Sequence, residues 1–116
     1  MKLIIAGGRD YSLTARDKSN LDALIPSIEC VVSGACPTGV DHDAEAWAET
    51  LGIPVVRFPA LWRTHGRRAG PIRNQEMAEY GDALAVFPGG RGTADILSRA
   101  KRRGLQVYDF RKGETP

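Results

Sequence analysis

Apolar runs of strand length alternate along the chain with longer segments whose apolar residues recur every three or four positions. Residues 3–6 predict a first strand, closed by the turn Gly7-Gly8-Arg9-Asp10. Ser12 is then the expected cap of a helix carrying Leu13, Leu21, Leu24 and Ile25, with Pro26 helping to end it. Residues 30–33 predict a second strand, and residues 34–39 a glycine-containing loop. Asp41 is the expected cap of the next helix, in which Ala44, Trp47, Ala48 and Leu51 share one face and Gly52 marks the stop. A third strand over 55–58 leads into a long loop, 59–70. Pro71 suits the first turn of a helix ending near Tyr80, with Gly81 as its stop. Residues 83–87 predict a fourth strand. The run Pro88-Gly89-Gly90-Arg91-Gly92-Thr93 then enters a helix over Ile96, Leu97 and Ala100, which Gly104 ends before a last strand at 105–109.

Five strands separated by four helices predict an α/β fold, a doubly wound parallel sheet covered on both faces. The simplest strand order with right-handed crossovers is 3-2-1-4-5. Strands one and four are then neighbours at the switch point, and their following loops face each other across a crevice. The length, 116 residues, fits a single domain over residues 1–110 with a frayed polar tail at 111–116.

Composition narrows the function classes. A formal charge of +2 is mild for a non-specific nucleic-acid binder. Cys30 and Cys36 form no CxxC pair, and the apolar start of the chain is too short for a signal peptide or membrane span. A reducing cytoplasm is the expected setting. His42 and His65 have no ligand set around them, so neither a metal site nor a bound cofactor is expected.

The fourth loop carries the most chemistry. Gly89, Gly90 and Gly92 let backbone N–H groups approach a ligand, and a helix starting immediately after them adds unpaired donors and a dipole suited to phosphate. Thr93 adds a hydroxyl and Arg91 a charged fork. A tight turn is the plainer explanation, although one glycine would serve it. Gly7, Gly8 and Arg9 occupy the corresponding place after strand one. Ser33 to Asp41, with Gly34 at its start, is either a wall facing ribose or base, whose acids would repel phosphate, or simply a capped, charge-complemented helix start. Between Trp62 and Arg73 stand Arg63, His65, Arg67 and Arg68 with no acid among them. This stretch is either a solvated basic loop or, hinged at Gly66 and Gly70, a lid. Arg73 in a helix's first turn opposes the dipole, which marks it as an anion contact. Lys101, Arg102 and Arg103 suit a helix C-terminus, and Trp47 suits the core.

Taken together, Gly7-Gly8-Arg9-Asp10, Ser33-Gly34 through Gly39-Val40-Asp41, His65-Gly66 through Gly70-Pro71-Ile72-Arg73-Asn74 and Pro88-Gly89-Gly90-Arg91-Gly92-Thr93 resemble the SLOG superfamily, in its small YspA-like branch. The resemblance implies a Rossmann-like domain that handles nucleotides or nucleotide-derived ligands, commonly as a homodimer. Among the relatives, Lonely Guy phosphoribohydrolases carry PGGxGTxxE after an Arg-containing helix. Pro88, Gly89, Gly90, Gly92 and Thr93 match the phosphate-binding part, and Arg73 matches the helix arginine. The glutamate position is Ile96, which cannot stabilise oxocarbenium character as a carboxylate does. Asp95, Asp10 and Glu76 are the candidate replacements.

The first expectation is therefore a binding or sensing domain for a phosphorylated, nucleotide-like small molecule, held by residues 88–93 with Arg73 and Asn74 beside them. The alternative is a phosphoribohydrolase acting on nucleoside 5′-monophosphates. A second alternative, single-stranded nucleic-acid binding, draws on the basic stretch around Trp62.

Overall fold

The computed structural model describes residues 1–112. Five parallel strands form one sheet in the order β3-β2-β1-β4-β5, with β1 Lys2–Ala6, β2 Cys30–Ser33, β3 Val55–Arg57, β4 Ala83–Val86 and β5 Gln106–Asp109. The predicted order is the observed one. β1 pairs with β2 on one side (Leu3 opposite Val31) and with β4 on the other (Leu3 opposite Ala83).

Helices cover both faces of the sheet, so its central strands are apolar without alternation and every residue of β2 and β4 is buried. Side chains of β1 still point alternately to two separate cores. Leu3 and Ile5 pack with Val40, Ala44 and Trp47 of α2 (Gly39–Thr50). Ile4 and Ala6 pack with Met77 of α4 (Ala69–Tyr80) and with Ile96, Leu97 and Ala100 of α5 (Arg91–Arg102). Trp47 is core, as expected, and its indole N–H donates to Asp22 Oδ1 at 3.0 Å.

Several boundaries differ from the sequence reading. The first helix, α1, is Ala15–Asp22, and its cap is Thr14 rather than Ser12. Thr14 has Asp17 three residues on, and the two exchange side-chain and backbone bonds at 3.0 Å as a capping box. Pro26 lies beyond this helix, in a 3₁₀ turn at Ile25–Ser27. Asp41 does not cap α2. The helix starts at Gly39, and the Val40 N–H is taken by the Gly8 carbonyl at 3.2 Å. Residues 59–70 are not an open loop. They hold a one-turn helix, α3 (Trp62–His65), and a 3₁₀ turn (Gly66–Arg68) before α4 begins at Ala69. The Thr64 and His65 N–H groups both bond back to the Leu61 carbonyl, which closes the segment into turns. β3, β4 and β5 are each one residue shorter than predicted.

Of the predicted tail, Arg111 forms an exposed ion pair of 2.7 Å with Asp109, while residues 113–116 lie outside the described residues. Among the described residues no helix is long and apolar enough to cross a membrane.

Candidate functional site

Where parallel strands part to either side of β1, their C-terminal ends leave a crevice. A cleft of about 800 Å³ lies there, lined by the loops after β1, β2 and β4 and by one face of α4. The loops are locked together by backbone bonds. Gly8 N–H donates to the Pro88 carbonyl at 2.8 Å, and the Gly8 carbonyl accepts from Val40 N–H. Gly8 and Gly89 are in backbone contact, and a β-carbon on Gly8 would come within 3.1 Å of Gly89 Cα. Glycine here is a demand of close approach. The predicted facing of the first and fourth loops is thus a hydrogen-bonded junction.

The floor at one end of the cleft is the start of α5. Its first backbone bond is Ala94 N–H to the Gly90 carbonyl, at 3.0 Å. The N–H groups of Gly90, Arg91, Gly92 and Thr93 therefore have no protein acceptor among the described residues. Gly90 is the N-cap and supplies no side chain to satisfy them. β-Carbons on Gly90 and Gly92 would meet nothing within 4 Å, and neither residue has a positive φ. The fold itself does not require glycine at these two positions; they leave the amides uncovered. Thr93 is buried with its hydroxyl against Gly89.

The argument that a cation in a helix's first turn answers to an anion applies here to a different arginine. Arg73 is the fifth residue of α4, past its first turn, and its Nη1 and Nε donors are engaged. Its Nη1 donates to the Gly34 carbonyl at 2.5 Å and reaches the Phe58 carbonyl at 3.5 Å, while Nε donates to Asn74 Oδ1 at 2.9 Å. Arg91 is the residue at the first position of a helix, α5, whose first turn holds no acid, and it is exposed on the rim of the cleft.

The opposite end of the cleft is built by Gly34, Cys36, Asp41 and Arg73. A β-carbon on Gly34 would stand 2.7 Å from Arg73 Nη1 and 3.0 Å from Asp41 Oδ2, so glycine makes room for the guanidinium and the carboxylate together. Asp41 Oδ2 accepts from Cys36 N–H at 3.1 Å. Burial pushes the Asp41 carboxyl above its ordinary range, and that effect outweighs the Cys36 bond and the Arg73 charge, which pull it down. Ala35 between them has a positive φ of 63°, the turn that carries the Cys36 N–H past Gly34 toward Asp41.

The remaining predicted residues divide. Arg9 and Asp10 are exposed and line the cleft. Ser33 does not: it is fully buried, donates to Glu45 Oε2 at 2.6 Å and accepts from Ala35 N–H. Asn74 lines the cleft but its amide is occupied, donating to the Gly92 carbonyl at 3.2 Å and to Asp95 Oδ2 at 2.9 Å. Asp95 is held outside the lining residues by Asn74 and by an ion pair with Arg99 at 2.8 Å. Glu76 is exposed and outside the lining residues. Ile96, in the glutamate position, is buried and lines the cleft beside Met77. Trp62 is 56% exposed, with its ring edge over Gly70, and neither it nor Arg63, Arg67 and Arg68 lines the cleft.

Two further lining residues carry chemistry that the sequence reading leaves undeveloped. Asp41, expected as a cap or as the end of a ribose-facing wall, lines the cleft and does not cap α2. Tyr11 lines the cleft with its hydroxyl donated to the buried Asp17 at 2.7 Å. That bond, with burial, pushes the phenol up to about 12.

A doubly wound α/β domain with a cleft at its switch point is the class that this geometry defines. The chain belongs to the YspA, cpYpsA-related SLOG family, whose sequence profile matches residues 1–65. It is also similar to the Gene 61 protein of Mycobacterium phage D29, 35% identical over 130 aligned positions that cover 99% of this chain and 98% of the phage protein. No solved structure matches. Membership of a SLOG family points to binding or processing of nucleotide-related ligands.

Proposed function

We propose that this domain binds a phosphorylated, nucleotide-derived small molecule, with its phosphate on the start of α5. The observation that carries this reading is the row of four uncovered N–H groups from Gly90 to Thr93, opening into the cleft beside Arg91. Backbone donors at a helix N-terminus favour an anion through both their hydrogen bonds and the dipole. Family membership supplies the ligand class.

Titration calorimetry with AMP, ribose 5-phosphate and adenosine tests the reading. Both phosphorylated probes are expected to bind, adenosine much more weakly, and Gly90→Val to abolish the difference. The valine side chain enters open space, so the fold should persist with only the modest loss, about 1 kcal/mol, of a poorer N-cap. Unchanged AMP affinity in that variant contradicts the assignment.

Asp41 supports a second reading, the phosphoribohydrolase. It is a partly buried carboxylate inside the cleft, where the relatives' glutamate position holds Ile96. Release of free base and ribose 5-phosphate from AMP, lost in Asp41→Asn, would favour turnover over binding alone. Absence of base after long incubation at high protein concentration leaves the binding domain.

A further inference from the structure

The two ends of the cleft differ in chemistry. At the α5 end every polar group offered by the backbone is a donor. At the other end several groups that approach the cleft are already paired, while Asp41 Oδ1 and Arg73 Nη2 have no protein partner among the described residues. Val40 N–H, which would make the start of α2 a second anion seat, is closed by the Gly8 carbonyl. Arg73 spends its Nη1 and Nε donors on Gly34, Phe58 and Asn74. Asp41 uses Oδ2 for Cys36 N–H, and its Oδ1 has no protein donor among the described residues. A ligand group reaching this end therefore meets an open carboxylate oxygen in a partly buried setting.

The separation of the two ends also limits the ligand. α5 follows β4 and Asp41 follows β2, with β1 between them, so the ends are two inter-strand spacings apart, on the order of 10 Å. That distance suits a nucleoside stretched between a 5′-phosphate at one end and a sugar hydroxyl or base amine at the other.

We propose that Asp41 makes the cleft selective for a ligand with one phosphate, by accepting a hydrogen bond from a neutral O–H or N–H donor at the end remote from α5, a bond that a second phosphate there cannot supply. This rests on the phosphate assignment above and extends it to the far end of the ligand. A buried acceptor discriminates strongly, because a partner that cannot donate leaves it unpaired. A phosphate in its place has no proton to donate and is repelled by the carboxylate, a repulsion that the Arg73 guanidinium beside Asp41 partly offsets.

The test is calorimetric titration of the full chain and of Asp41→Asn and Gly90→Val, with AMP and adenosine 3′,5′-bisphosphate as probes. Wild type is expected to bind AMP at least about tenfold more tightly than the bisphosphate, a difference of about 1.4 kcal/mol. In Asp41→Asn, whose amide oxygen still accepts from Cys36 N–H, AMP should weaken severalfold and the preference should disappear. 2′-Deoxy- and 3′-deoxy-AMP identify a sugar hydroxyl as the donor if they weaken with wild type but not with Asp41→Asn; inosine monophosphate identifies the base amine by the same comparison. AMP affinity and selectivity unchanged in Asp41→Asn, together with loss of AMP in Gly90→Val, overturn the role of Asp41 and leave the phosphate assignment standing. No AMP binding by wild type overturns both.

Discussion

Arg73 Nε donates to Asn74 Oδ1 at 2.9 Å, and through that bond the two ends of the cleft become one unit. On one side Arg73 Nη1 holds the Gly34 carbonyl at the exit of β2. On the other side Asn74 Nδ2 holds the Gly92 carbonyl in the first turn of α5 and the Asp95 carboxylate. Adjacent residues of α4 thus set the spacing between the uncovered amides and Asp41.

This relay gives Arg73 a structural task. Arg73→Ala leaves the Gly34 carbonyl and Asn74 Oδ1 without their donor and removes the cation nearest the partly buried Asp41. It is expected to destabilise the domain by about 1–3 kcal/mol, measured by urea unfolding. Removing a cation that merely opposed the dipole of a helix's first turn would instead give a slight gain. A gain would show that the guanidinium bonds contribute nothing.

Arg91 inherits the anion-contact argument. Standing at the first position of α5 with no acid in that turn, it is repelled by the helix dipole in the absence of a ligand. Arg91→Ala is expected to leave stability unchanged or raised by a few tenths of a kcal/mol. It should weaken AMP severalfold while leaving adenosine unaffected. Equal losses for both ligands would remove Arg91 from the phosphate site.

Asp41 and Asp95 impose opposite pH slopes on stability. The folded Asp41 pKa lies above its ordinary 3.8, so as pH rises the unfolded chain ionises first and stability falls through the folded pKa. For Asp95, burial pushes the pKa up, but the Arg99 and Asn74 hydrogen bonds and the Arg99 and Arg102 charges together outweigh it, and the net shift is down. Its contribution is complete above 3.8 and is lost as pH falls through the folded pKa. Near neutral pH, Asp41→Asn should therefore be more stable than wild type and Asp95→Asn less stable. The Asp41→Asn difference should shrink as pH falls from the folded Asp41 pKa to 3.8, and the Asp95→Asn difference as pH falls from 3.8 to the lowered folded pKa. Urea unfolding of all three proteins across that range is the measurement; parallel curves for wild type and Asp41→Asn would contradict the burial of this carboxyl.

The sheet was legible because its signals are local. Runs such as Leu3-Ile4-Ile5-Ala6 and Ala83-Leu84-Ala85-Val86 alternate with helical periodicity, and glycine punctuates the exits, which together lead to an order of 3-2-1-4-5. The start of α5 was legible for the same reason, because glycines and helix lie within six residues. Misreadings occurred where partners are distant in sequence. Asp41 looks like a cap until the Gly8 carbonyl, 32 residues earlier, is seen bonding Val40 N–H. Ser33 looks like a ligand contact until Glu45 is placed beneath its hydroxyl. Arg73 looks unpaired because its acceptors lie on loops 15 and 39 residues away. Thr14 was passed over for Ser12 because Asp17 was not recognised as the other half of a capping box.

If phosphate sits on the first turn of α5, the amide chemical shifts of that turn report it directly. Titrating ¹⁵N-labelled protein with AMP and, separately, with adenosine follows the Gly90, Arg91, Gly92 and Thr93 N–H groups one by one. Bonding to phosphate predicts that these four amides show the largest downfield shifts with AMP and little movement with adenosine. Largest shifts elsewhere, or the same pattern with both ligands, would contradict it.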